Sequence, residues 1–120
     1  MEQIFVDSII SLGFERKLET LYCLVVDDEL FATKSKWLAF AYYEDGDYYF
    51  SNNGDLVEEF DAPNIIIDLM LDEIRKSISK FGCVLNVSNI VKKIDLNNIE
   101  GDYNQFLLAV KAVDNLYKNL

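Results

Sequence analysis

Histidine is absent from the 120 residues, and cysteine, proline and basic residues are scarce. Without histidine the chain lacks the commonest general base, the Ser/His and Cys/His nucleophile pairs, and most zinc-ligand sets. The two cysteines, Cys23 and Cys83, stand in apolar runs typical of small buried side chains. Neither of the glycine-rich phosphate-binding patterns, GxxxxGK[ST] or GxGxxG, occurs. We therefore predict no catalytic residues, no metal site and no cofactor.

Long apolar runs are also missing, since no run approaches the length of about 20 residues that spans a bilayer. The N-terminal stretch MEQIFVDSIISLG carries Glu2 and Asp7 but no Lys or Arg, unlike a secretory signal. Without a signal, the two cysteines are expected to stay reduced. The sequence therefore predicts a cytoplasmic protein.

The composition is that of one folded domain. Apolar residues make up 51% of the chain and charged residues 27%, which is ordinary for a globular protein. Eight Phe, seven Tyr and one Trp supply large apolar rings for a core. We predict a single domain over residues 1–120.

One window of the chain carries the whole net charge of −10, because it contains ten acidic residues and no Lys or Arg between Trp37 and Ile74. The ten are Glu44, Asp45, Asp47, Asp55, Glu58, Glu59, Asp61, Asp68, Asp72 and Glu73. The eleven other acidic residues are matched by the eleven basic residues of the chain. A field of this sign repels nucleic-acid phosphates and membrane headgroups and attracts basic surfaces. We predict a basic protein partner and no direct binding to nucleic acid or membrane.

Hydrophobic periodicity predicts three amphipathic helices, the first over residues 3–12 with Gly13 as its stop. The two longer helices are expected over residues 61–81, where Asp61 can be the N-cap, and 103–120. A polar linker is expected to precede the last helix.

Apolar runs rich in β-branched and aromatic residues predict short strands. They cover residues 18–26, 37–43, 48–52, 83–87 and 90–94, and residues 56–60 are either a further strand or the approach to the second helix. Both alternating faces of residues 37–43 are apolar, which predicts a central strand that is covered on both sides.

Three turn signals join these strands as antiparallel neighbours: Glu44–Asp47 around Gly46, Asn53-Gly54, and Ser88-Asn89. No βαβ pattern repeats. The predicted fold class is α+β, a two-layer sandwich with an antiparallel sheet of three to five strands, an N-terminal helix and two longer amphipathic helices.

Carboxylate chemistry is the enzymatic alternative. Glu15 and Lys17 have the Glu-x-Lys spacing of a magnesium-dependent nuclease strand, although only Asp7, on the first helix, precedes them as a second carboxylate. Asp45-Gly46-Asp47 begins like a calcium loop, but the later ligands are missing, so a hairpin turn is the better interpretation.

The acidic turns interleave with tyrosines, a combination that suits recognition of a basic protein surface. The alternative for the acids is a solubilising surface. For the tyrosines the alternative is packing within the sheet, which we expect for at least two of Tyr42, Tyr43, Tyr48 and Tyr49. The candidate partner-binding residues are Glu44, Asp45, Asp47, Asp55, Glu58, Glu59, Asp61 and Tyr48.

Three pieces of the chain resemble a family named domain of unknown function 1828, which occurs in bacterial, prophage and phage genomes. They are the stretch Tyr48 to Asp55, the run Phe81-Gly82-Cys83-Val84, and the run Phe106 to Val110, and the similarity spans roughly residues 37–120. The sequence departs from the family pattern where Asn52-Asn53 replaces an acidic pair and where a Thr-Pro-Phe-like stretch is missing. The resemblance implies a fold and a mobile-element context, but no activity.

The leading hypothesis is a small acidic non-enzymatic binding protein, encoded by a phage or prophage. It would dock its acidic face on a basic nucleic-acid-binding or host-defence protein and inhibit it, partly by imitating the charge of DNA. The alternatives are a metal-dependent phosphodiesterase or nuclease that uses carboxylates, and a homo-oligomeric accessory subunit such as a homodimer.

Overall fold

The computed structural model describes residues 1–27, 36–52 and 64–118. Within these ranges the chain forms three helices and six strands. They are α1 (Gln3–Ser11), β1 (Glu15–Leu18), β2 (Leu21–Asp27), β3 (Lys36–Glu44), β4 (Asp47–Ser51), α2 (Asn64–Ser79), β5 (Cys83–Asn86), β6 (Asn89–Lys93) and α3 (Ile99–Lys118).

The six described strands form one sheet in the order β1-β2-β3-β4-β6-β5, and every pairing is antiparallel. The predicted α+β class is therefore confirmed. The predicted number of strands, three to five, is too low because β1 was not anticipated. Its four residues, ERKL, are all exposed at the edge of the sheet, so they show no alternation that would mark a strand.

All three helices pack on one face of the sheet, which is the covered face below. Phe5 of α1 contacts Tyr22 and Tyr48, with ring centroids 6.2 and 4.4 Å away. Phe106 of α3 contacts Trp37 and Phe50 at 5.9 and 5.8 Å. Ile74 and Ile78 of α2 are fully buried in the same core. Aromatic stacking of this kind adds to the burial of large apolar areas.

The opposite face of the sheet, the open face below, is not covered by any described helix. On β3 the covered-face residues Trp37, Ala39 and Ala41 are buried, whereas Leu38 is 37% exposed, and Phe40 and Tyr42 are partly exposed. β3 is central, as predicted. The described residues do not provide the predicted cover on its second side, where Leu38 stays 37% exposed. Because the residues on both faces of β3 are apolar, the sequence pattern does not show on which face the helices pack.

The β3–β4 turn forms where the sequence predicted it. Asp45 and Gly46 have φ of 51° and 86°, and Glu44 pairs with Asp47 across them. Two central residues with positive φ match the right-handed twist of the strands, and Asp-Gly is a preferred pair for this turn.

Two boundaries differ from prediction. The β5–β6 turn consists of Val87 and Ser88, one residue earlier than the predicted Ser88-Asn89, and Val87 has φ of 58°. The last helix begins at Ile99 rather than at residue 103. The backbone N–H of Asp102 donates to the carbonyl of Asn98 at 2.9 Å, so part of the predicted polar linker already belongs to the first helical turn.

The two halves of the chain meet where β4 pairs with β6. Asn52 is fully buried, and its side-chain oxygen accepts the backbone N–H of Ile90 at 3.0 Å. At the other end of the pairing, the N–H of Ile94 donates to the carbonyl of Tyr48 at 2.8 Å.

Several predictions fall outside the described residues: the Asn53-Gly54 turn, the strand over residues 56–60 and the Asp61 cap. Among the residues that are described, no helix is long and apolar enough to cross a membrane.

Candidate functional site

Three of the predicted partner-binding residues lie together at the β3–β4 turn. Glu44 and Asp45 are exposed, and Asp47 is partly exposed. Four more, Asp55, Glu58, Glu59 and Asp61, lie outside the described residues.

Tyr48, the remaining predicted contact residue, belongs to the core. Its ring is 6% exposed and packs against Phe5 and Tyr43, with centroids 4.4 and 5.0 Å away. Its hydroxyl oxygen accepts the backbone N–H of Glu2 at 2.6 Å, which ties the start of α1 to the sheet. Tyr48 therefore supplies no surface to a partner. Tyr43 shares its face, so two of the four tyrosines pack against the helices, as expected.

Only one of the three turn carboxylates has a cationic neighbour among the described residues. Lys93 Nζ lies 3.6 Å from Asp47 Oδ1. Glu44 stands directly across from Asp47 in the strand pairing, and like charges at such positions repel. Glu44 and Asp45 form no ion pair with the described part of the chain. Among the described residues, the turn thus carries more negative charge than its single cationic neighbour offsets.

A fourth carboxylate that sequence reasoning missed extends this site. Glu19 is exposed in the β1–β2 turn, and the next residue, Thr20, accepts the backbone N–H of Tyr43 at 3.1 Å. The β1–β2 turn therefore lies beside the β3–β4 turn. We call Glu19, Glu44, Asp45 and Asp47 the acidic end. The sequence does not point to Glu19, because the apolar pattern of residues 18–26 predicts one strand with no turn inside.

The acids of α2 do not belong to the acidic end, although they lie in the same acidic window of the sequence. α2 packs on the covered face of the sheet, against β5 and α3. Asp72 lies 3.2 Å from Arg75 and Glu73 lies 3.7 Å from Lys76, both three residues ahead on the helix. The described acids of this window are therefore divided between the acidic end and α2, and two of those on α2 form ion pairs within the helix.

A groove of about 370 Å³ runs from the acidic end along the open face of the sheet. It is lined by Tyr42, Glu44, Asp45, Tyr49, Val84, Asn86 and Val91. Tyr42 and Tyr49 are opposite each other on β3 and β4, and their rings stack with centroids 5.4 Å apart and planes inclined by 28°. Burial, and secondarily the Glu44 carboxylate, raise the pKa of the Tyr42 hydroxyl above its ordinary value, so this ring stays neutral at physiological pH.

A larger cavity, of about 640 Å³, lies between α1 and the start of α3. It is lined by two carboxylates, Asp7 and Glu100, with serines and aliphatic side chains around them. Among the described residues it receives no Lys or Arg side chain and no aromatic ring.

The residues of the enzymatic alternative lie on an edge strand. Glu15 and Lys17 are exposed on β1 and contact each other at 3.4 Å. Within the described ranges, no three Asp, Glu, Cys or His side chains come close enough together to hold a metal ion. Burial raises the pKa of the thiols of both cysteines, that of Cys83 to about 11, so neither is activated as a nucleophile.

The motifs behind the family resemblance lie partly in β4, at the start of β5 and in α3, and the resemblance stays a prediction. Compared with protein-family models, with curated proteins and with solved structures, the chain matches none.

Proposed function

We propose that this chain is a non-enzymatic binding protein that docks its acidic end on a basic protein surface and blocks it. A nucleic-acid-binding or host-defence protein is the target class that fits, because such a target uses its basic surface to bind phosphates, and clustered carboxylates compete for that surface. A phage or prophage origin would place the chain in contact with such targets.

One observation carries this proposal: two neighbouring turns place four carboxylates at one end of the sheet, and Lys93 is the one described cation that pairs with any of them. Charges at an exposed rim raise association rates and set partner choice more than they add affinity. We therefore expect rapid, salt-sensitive binding.

The test uses the immobilised protein to capture partners from a lysate of the source cells, at low and high salt. Neutralising the acidic end with Glu44→Gln, Asp45→Asn and Asp47→Asn should reduce the captured basic partner at least about tenfold, since each lost charge contact weakens steering and pairing. Duplex DNA should displace the wild-type complex if the target uses the same surface for nucleic acid.

Two matched variants make the test specific. Asp68→Asn, Asp72→Asn and Glu73→Gln remove the same number of charges from α2 and should leave capture unchanged. Lys93→Gln frees Asp47 and should strengthen capture. Equal losses in the two triple variants would show that only overall charge matters, and the acidic end would then have no specific role.

The second candidate function is a homo-oligomeric accessory subunit, and the open face favours it. Val25 and Leu38 pair across β2 and β3 on this face and are 58% and 37% exposed. Sedimentation of the wild type and of Leu38→Ser tests this candidate: a dimer that dissociates in the variant supports it, and a wild-type monomer at high concentration excludes it.

A further inference from the structure

The groove on the open face combines two features: a partly exposed aromatic stack, and two carboxylates that have no cationic partner among the described residues. The Tyr42–Tyr49 stack forms its middle, and Glu44 and Asp45 form one end. Glu44 stands two residues after Tyr42 on the same strand, so both side chains project from the open face.

The charge of the groove selects a cationic occupant. Lys93 is opposite Tyr49 in the strand pairing, but its ammonium group lies 3.6 Å from Asp47. Glu44 and Asp45 have no such neighbour in the described ranges. These two carboxylates would repel an anionic ligand, and a neutral ligand would supply no opposite charge to them.

Among cations, the guanidinium group of arginine fits both features at once. It is planar, stacks on tyrosine faces, and donates hydrogen bonds to a carboxylate in a fixed fork geometry. Lysine carries a point charge on a flexible side chain. Its ammonium group can pair with the carboxylates, but it covers less of the aromatic stack than a guanidinium does.

The far end of the groove is apolar. Val84 of β5 is 62% exposed, and Val91 stands opposite it on β6. When the charged group of a ligand lies between Glu44 and the tyrosines, the rest of the ligand therefore contacts the aliphatic side chains at the far end of the groove. This arrangement suits a segment in which an arginine is followed by an apolar side chain.

We infer that the open-face groove binds an arginine-bearing segment of a partner protein, with the guanidinium on the Tyr42–Tyr49 stack and against Glu44 and Asp45, and an apolar neighbour on Val84. This inference rests on the proposed function, because it names the part of the basic partner that the acidic end recognises.

The probe for the test is a capped peptide of alternating leucine and arginine, titrated into the protein by calorimetry and by NMR. The same peptide with citrulline, which keeps the shape of arginine and removes its charge, should not bind. Tyr49→Leu should weaken binding of the arginine peptide about fivefold, because it keeps apolar volume but removes the ring, and Tyr49→Phe should stay within about twofold of wild type.

The pair of Tyr49 variants also controls for folding, since both must unfold at temperatures close to that of wild type before affinities are compared. If the Tyr49→Leu and Tyr49→Phe variants bind the arginine peptide equally well, while neutralising Glu44 and Asp45 still weakens its binding, the groove assignment is wrong. The acidic end alone then docks the partner. If neutralising these two residues has no effect either, the proposed function fails as well. If the open face proves to be occupied by a second copy of the chain that excludes the peptide, the arginine-segment inference is overturned.

Discussion

At the scale of single residues, the strained position is Val87. It is a β-branched residue with φ of 58°, and its side chain is 88% exposed at the tip of the β5–β6 hairpin. Left-handed backbone costs a non-glycine residue about 1–2 kcal/mol, whereas asparagine adopts it more readily. Nothing in the contacts of this exposed side chain compensates for that cost.

We expect Val87→Asn to raise the free energy of unfolding by about 1 kcal/mol, because it relieves the backbone and removes little buried surface. Urea denaturation measures the change. The matched control is Val84→Asn, the same substitution at an exposed position within β5, where the loss of a strand-favouring residue should give no gain. A gain at both positions would indicate an effect of surface polarity instead of turn strain.

Cys83 makes stability depend on pH in the alkaline range. Its side chain is buried, its thiol faces the carbonyl of Phe81, and burial raises its pKa from its ordinary value of 9.0 to about 11. The nearby Lys92 opposes this shift and Asp102 adds to it. Between these two pKa values the unfolded thiol has lost its proton while the folded one keeps it, so stability falls as pH rises.

We expect the free energy of unfolding to drop by about 1 kcal/mol between pH 8 and pH 10, since the upper half of this interval lies above the unfolded thiol's pKa and below the folded one's. Denaturant titrations at several pH values measure the slope. Cys83→Ala should flatten most of it, and an unchanged slope in that variant would assign the effect to other groups, such as Cys23, whose thiol pKa burial also raises.

At the scale of elements, a buried ion pair links α3 to β6 within the core that the two elements share. Lys92 Nζ lies 3.8 Å from Asp102 Oδ1, and the two side chains are only 14% and 10% exposed. The other carboxylate oxygen of Asp102 accepts the backbone N–H of Asp95 at 2.7 Å, within the loop that connects the two elements. Asp102 thus holds the start of α3 against the sheet through both oxygens.

Asp102→Ala should cost about 3 kcal/mol of stability, because it leaves the Lys92 charge buried without a partner. The matched control is Glu73→Ala, which breaks a pair of similar length, 3.7 Å, whose side chains are 57% and 76% exposed. It should change stability by less than about 0.5 kcal/mol. Thermal or urea unfolding compares the two, and similar losses would show that burial does not set the strength of the Lys92–Asp102 pair.

At the scale of the whole molecule, periodicity and turn chemistry were enough to predict the α+β class, the three helices and the Asp45-Gly46 turn. They did not identify β1, because an edge strand that is exposed on both faces carries no alternation. They also could not show that β4 pairs with β6 rather than with β5, since that choice depends on tertiary packing.

The candidate site was predictable in part. A two-residue turn at Asp45-Gly46 fixes the pairs Glu44 with Asp47, Tyr43 with Tyr48 and Tyr42 with Tyr49, so the grouping of these side chains follows from the sequence. The sequence does not show whether Tyr43 and Tyr48 or Tyr42 and Tyr49 face the helices, because both faces of the strands are apolar. This is why Tyr48 was expected at the surface and Tyr49 was not singled out.

The single pairing of β4 with β6 also bears on how fast the chain can fold. Strands β1 to β4 form hairpins between sequence neighbours, and β5 and β6 form another, so both groups need only short loops to close. The pairing between the groups joins positions such as Asn52 and Ile90, which are 38 residues apart. Closing a loop of that length lowers the entropy of the chain before the pairing forms any stabilising contact. We therefore expect the pairing of β4 with β6 to be the slowest step of folding.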